Sequence, residues 1–70
     1  MNRNRFEITL LNHKNLILKK GNTSVTFRHS KTKGTYYTVT ETPNDYEVKG
    51  LTNDEMWATY VNCIRKGYNF

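Results

Sequence analysis

At Thr52 the chain changes period, and that change limits the possible folds more than any other feature. From Phe6 to Lys49, apolar residues recur at alternate positions in short runs separated by turn residues, the pattern of half-buried β-strands. After Thr52 they recur at helical spacing instead. Thr52 is placed to cap a helix, and Glu55, three positions on, to return a bond to the Thr52 N–H. Leu51 and Met56 sit where a hydrophobic staple packs. The spacing predicts a helix over 53–66, with Met56, Trp57, Tyr60, Val61 and Ile64 on its apolar face. Asp54 and Glu55 open it, Arg65 and Lys66 close it, and Gly67 stops it, as the helix dipole and left-handed caps prefer.

Ahead of that helix, punctuation divides the alternating region into hairpins. Phe6–Leu11 reads as a first strand with Phe6, Ile8 and Leu10 facing inward. The turn Asn12-His13-Lys14-Asn15 leads to Leu16–Lys20, whose facing is ambiguous because both alternating sets begin apolar. Gly21-Asn22 suits a tight two-residue hairpin, since a glycine in first place accepts positive φ. Thr23–Arg28 follows with Val25 and Phe27 inward, then the basic loop Ser30–Gly34, then Thr35–Thr40 with Tyr37 and Val39 inward. Pro43-Asn44-Asp45 makes the next turn before a short edge strand, Tyr46–Lys49, ended by Gly50. The expected fold is therefore α+β: an antiparallel β-meander of four or five short strands packed on one C-terminal amphipathic helix. One domain spans 1–70, with a flexible basic arm over 1–5, β-hairpins over 6–49 and the helix over 53–66.

Composition narrows function by exclusion. The single cysteine, Cys63, allows no internal disulfide, lies on the flank of the helix's apolar stripe and has no histidine beside it in sequence, so it reads as a small, partly buried hydrophobe in a reducing cytoplasm. His13 and His29 lie in or beside turns without ligand-like spacing, and no glycine-rich phosphate loop is present. A non-enzymatic protein with no cofactor and no metal is expected. No apolar run is long enough for a membrane span.

Eleven Lys and Arg against six Asp and Glu leave a net charge of +5, which favours acidic partners. If Val25, Phe27, Tyr37 and Val39 face the helix, the opposite sheet face carries Thr9, Lys19, Ser24, Thr26, Arg28, Tyr36, Thr38 and Thr40. Lys31 and Lys33 stand at a loop tip beside it. Cations neutralise phosphates, hydroxyls donate to phosphate or base edges, and an exposed tyrosine stacks on an unpaired base. Nucleic-acid binding through Lys19, Thr26, Arg28, Lys31, Lys33, Tyr36 and Thr38 is the leading expectation. The arm with Arg3 and Arg5 reads first as a disordered tail with no role and second as a source of minor-groove or phosphate contacts.

The order of a three-stranded sheet followed by one helix resembles that of certain plant transcription-factor and phage-integrase arm-binding domains. The resemblance implies DNA contact through a polar sheet face, although no motif of either group matches residue by residue. The rival expectation is an inhibitor or adaptor of a host protein of nucleic-acid machinery. It is similar in kind to small phage proteins of the host-takeover, anti-restriction or anti-CRISPR classes. The abundance of Asn, Lys and Tyr, whose codons are AT-rich, is in keeping with a phage-like source. A homo-oligomer, its modest core completed by identical neighbours, is a third possibility.

Overall fold

Asn2 opens the structure by capping a helix. Its side chain accepts a hydrogen bond of 2.9 Å from the Arg5 N–H, and residues Arg3–Leu11 form α1. The computed structural model describes residues 1–70. Four strands follow α1: β1 (Leu16–Lys20), β2 (Thr23–His29), β3 (Tyr36–Thr42) and β4 (Asp45–Leu51). The chain ends with α2 (Asn53–Arg65). The strands pair antiparallel in chain order, so the fold is α+β with a four-stranded meander. No helix is long and apolar enough to cross a membrane.

Each turn follows from its residues. Lys20 faces Thr23 across Gly21-Asn22, with Gly21 at φ 59°, and Thr42 faces Asp45 across Pro43-Asn44. The α2 start carries the predicted capping box: Glu55 N–H donates to Thr52 Oγ1 at 3.2 Å, and Thr52 N–H donates to Glu55 Oε1 at 2.9 Å. At its other end Gly67, at φ 96°, lets the Tyr68 N–H reach the Cys63 carbonyl and its own N–H reach that of Ile64. The tail then folds back. Asn69 exchanges backbone hydrogen bonds with Lys19 at 2.7 and 3.0 Å, closing the β1 edge there.

Both helices lie on one face of the sheet. Phe6 and Leu10 of α1, Leu16 and Leu18 of β1, Val25 and Phe27 of β2, and Met56, Tyr60 and Cys63 of α2 form the core. Phe6 is its hub, with its ring 5.8 Å from Phe27, 5.4 Å from Trp57 and 5.0 Å from Tyr60.

The structure departs from the sequence reading in five places. Residues 6–11 are helical: Phe6 and Leu10, one helical turn apart, are buried, while Ile8 is half exposed. Arg3 is a helix residue rather than part of a loose arm, ion-paired with Asp54 and with Glu7 at 3.1 Å. In β3 the faces are exchanged. Phe27 stands opposite Thr38, and Val25 opposite Thr40, so Tyr36, Thr38 and Thr40 share the helix side and Tyr37 and Val39 turn away. In α2 the apolar stripe closes on Cys63, 8% exposed, rather than on Ile64, 43% exposed. Gly50, expected to end β4, lies within it.

Candidate functional site

Strand parity assigns every side chain of the helix-free face. The cross-strand partners form three rows. The central row is Ile17, Thr26, Val39 and Val48; toward the β1–β2 turn lie Lys19, Ser24, Glu41 and Tyr46; toward the β2–β3 loop lie Arg28, Tyr37 and Gly50. No helix covers these rows. Ile17, Val48 and Tyr46 remain 42%, 57% and 68% exposed, a high degree of exposure for apolar and aromatic side chains in strands.

On the two central strands, the Arg28 guanidinium lies over the Tyr37 ring, 5.7 Å from its centroid. At that distance the ring quadrupole attracts the cation, which fixes a long side chain and keeps its charge on the surface. The β2–β3 loop, residues 30–35, rises beyond this pair. Ser30 organises it: its hydroxyl accepts from the Lys33 N–H at 3.2 Å and its carbonyl from the Gly34 N–H at 2.8 Å. Lys31 and Lys33 are exposed on the loop.

Three of the seven expected contact residues, Lys19, Thr26 and Arg28, therefore share one face, and Lys31 and Lys33 adjoin its Arg28 end. Thr38 is 4% exposed beneath the helix layer and takes no part. Tyr36 is half-buried on the core side with its ring 4.7 Å from His29. Thr9, expected on the sheet face, is in α1 with its hydroxyl donating to the Arg5 carbonyl at 2.8 Å. Tyr37, Ile17, Val39 and Val48 occupy the face in their place. Ile17 follows from the β1–β2 register that pairs it with Thr26, whereas the parity of Tyr37, Val39 and Val48 depends on the register across the β2–β3 hairpin, which pairs His29 with Tyr36.

A shallow cleft of about 610 Å³ runs around the β4 edge between Lys33, Tyr36, Tyr37, Gly50 and Glu55. Its walls carry one ammonium, Lys33, and one carboxylate, Glu55, which is engaged with Thr52 in the α2 capping box. His13 and His29 stack with ring centroids 5.7 Å apart, and no group of three His, Cys, Asp or Glu side chains converges on a common point. Burial pushes the Cys63 thiol above its ordinary value, which disfavours the reactive thiolate. No protein-family model, curated protein or solved structure matches the chain.

Proposed function

We propose that this is a non-enzymatic binding protein whose helix-free sheet face takes single-stranded nucleic acid. The observation that carries this reading is the Arg28–Tyr37 pair on the two central strands of an open sheet face, at the end beside the Lys31 and Lys33 loop. The half-buried Tyr37 ring leaves part of its surface for a base to stack on, the exposed Arg28 guanidinium over it meets the phosphate or stacks on the next base, and the loop lysines follow the backbone. Ile17, Val39 and Val48 extend the platform as an apolar floor that accepts base faces but has nothing to offer a phosphate. This favours unpaired strands over a duplex, whose outer surface is phosphate. The net charge of +5 supplies the long-range attraction, and the lone thiol suits a reducing compartment.

Fluorescence anisotropy with mixed-sequence single-stranded DNA and RNA, at low and high salt, tests the reading. Binding is expected at low salt, weakening as salt rises, with duplex of the same length binding less tightly. Tyr37→Ala should weaken binding by about 5- to 150-fold, the equivalent of losing about 1–3 kcal/mol of stacking, while Tyr37→Phe retains most of it. Absence of binding at low salt sinks the proposal.

The second reading, docking onto a protein of nucleic-acid machinery, has its own support in the exposed Ile17, Val48 and Tyr46. An apolar centre with Arg and Tyr at its edge is how many protein interfaces are built. It predicts a partner whose binding survives nuclease treatment and is lost on Val48→Asp.

A further inference from the structure

The two edges of the sheet are not alike. The β1 edge is closed at Lys19 by the returning tail, whereas no strand pairs with the outer edge of β4, Asp45–Leu51; only at its Asp45 end do side chains engage the backbone, the Tyr46 N–H donating to Asp45 Oδ1 at 2.7 Å and the Thr42 hydroxyl to the Asp45 carbonyl at 3.3 Å. An uncovered edge strand is a template for another strand. We propose that β4 pairs with β4 of a second copy about a two-fold axis at Val48, joining two sheets into one of eight strands. This goes beyond the nucleic-acid reading and does not depend on it.

The argument comes from the side-chain order of β4. In an antiparallel pair, only registers that oppose residues of equal parity let both backbones direct their hydrogen-bonding groups at one another. Centred on Val48, that register sets Val48 against Val48 and Glu47 against the second copy's Lys49. By symmetry it also sets Lys49 against the second copy's Glu47. All four of these charged groups lie on the same side of the joined sheet, so both ion pairs form at once. The adjacent two-fold registers place Glu47 against Glu47 or Lys49 against Lys49, and are repelled. The strand is thus self-complementary in one register, which is what a two-fold interface demands.

Gly50 gives an independent reason. A glycine inside a strand weakens it and normally answers a positive φ or a close neighbour. Gly50 has neither: its φ is not positive, and a Cβ built on it meets nothing within 4 Å. In the Val48-centred register, the residue facing Gly50 is Tyr46 of the second copy, whose ring is 68% exposed in the single chain. That ring lies across the bare glycine backbone, next to Tyr37 and the cleft at the β4 edge. The joined sheet keeps all four helices on one side and doubles the open face on the other.

Sedimentation equilibrium from micromolar to millimolar protein tests the proposal, with circular dichroism confirming that each variant is folded. Wild type should dimerise reversibly. Glu47→Lys and Lys49→Glu, each turning two attractive pairs into repulsive ones, should raise the dissociation constant on the order of tenfold or more. The double reversal Glu47→Lys with Lys49→Glu should restore wild-type association, because both pairs re-form with exchanged sign. Opposed residues lie about 4.5–5.5 Å apart between Cα atoms, within disulfide reach. On a Cys63→Ser background, Val48→Cys should therefore cross-link on oxidation and Lys49→Cys should not. A chain that stays monomeric throughout, a dimer indifferent to both single reversals, or cross-linking at position 49 in place of 48 would each overturn it.

Discussion

Thr52 and Glu55 show how far a single pair of residues fixes local structure. Each side chain bonds the other's backbone N–H, and the pair is readable in sequence because its two members are three positions apart. Thr52→Ala should cost about 0.5–2 kcal/mol in urea unfolding; a change near zero would mean the cap is dispensable. The Thr52 backbone N–H, and then its hydroxyl, hold the Glu55 carboxyl below its ordinary value of 4.5. A carboxylate depressed in the native state stabilises it fully above the ordinary value, and that contribution disappears as pH falls through the native value. The stability difference between wild type and Glu55→Gln should therefore be constant above pH 4.5 and close below it. A difference independent of pH would contradict the assignment. Cys63 gives a second test at this scale. Burial raises its pKa despite the opposing charge of Lys66, so alkylation at neutral pH should be slow in the folded protein and fast in urea. Equal rates would mean that the thiol is not buried.

At the scale of elements, legibility followed the range of the interactions that decide each one. α2 was readable in its cap and its Gly67 stop because both are local, while its stripe differs from the reading in the last turn, where Cys63 and not Ile64 is buried. The tight turns at Gly21 and Pro43 were readable for the same reason. α1 was not, because Phe6, Ile8 and Leu10 fit a period of two while Phe6 and Leu10 alone fit a helical turn, and the segment is too short for either to prevail. Asn2, whose side chain caps the helix, was the signal passed over. What decides the matter is tertiary: as a helix the segment sets Phe6 against Phe27, Trp57 and Tyr60. Two substitutions separate the alternatives. Phe6→Ala should cost about 3–5 kcal/mol, whereas Ile8→Ala, at a side chain 51% exposed, should be nearly neutral. A strand would have buried both, so comparable losses in chemical denaturation would refute the helix. β3 failed to be legible for a different reason. Tyr36-Tyr37-Thr38-Val39-Thr40 offers a plausible face on either side, and the hairpin register, not hydrophobicity, decides that Thr38 is inside. The same register decides the membership of the helix-free face: Lys19, Thr26 and Arg28 lie on it as expected, whereas Tyr36 and Thr38 leave it for the core side and Tyr37 and Val39 take their place.

For the whole molecule, the limiting quantity is the size of the core. Only 10 of 70 residues are buried, and both helices are spent on one side of the sheet. A core this small supplies little stability of its own, so whatever binds the native state shows in the melting temperature. Two such contributions are separable. If β4 joins a second copy, the melting temperature rises with protein concentration, because dissociation accompanies unfolding. That dependence should vanish in Glu47→Lys and return when Lys49→Glu is added. The Arg28–Tyr37 pair of the proposed nucleic-acid face is distinct from that edge, since Arg28 and Tyr37 sit on β2 and β3, inside the sheet. A single-stranded oligonucleotide should therefore raise the melting temperature of Glu47→Lys as well as that of wild type, and should fail to raise it in Tyr37→Ala. The two effects share one surface at Val48, which lies on the two-fold axis, and at Tyr46 and Gly50, where the second copy's ring adjoins Tyr37. A longer oligonucleotide that crosses the two-fold axis then gains contacts on both copies, and its affinity should exceed that of a short one by more in wild type than in Glu47→Lys. Scanning calorimetry over a series of protein concentrations and oligonucleotide lengths measures both. A length dependence unchanged by the charge reversal would show that the two copies do not present one continuous face.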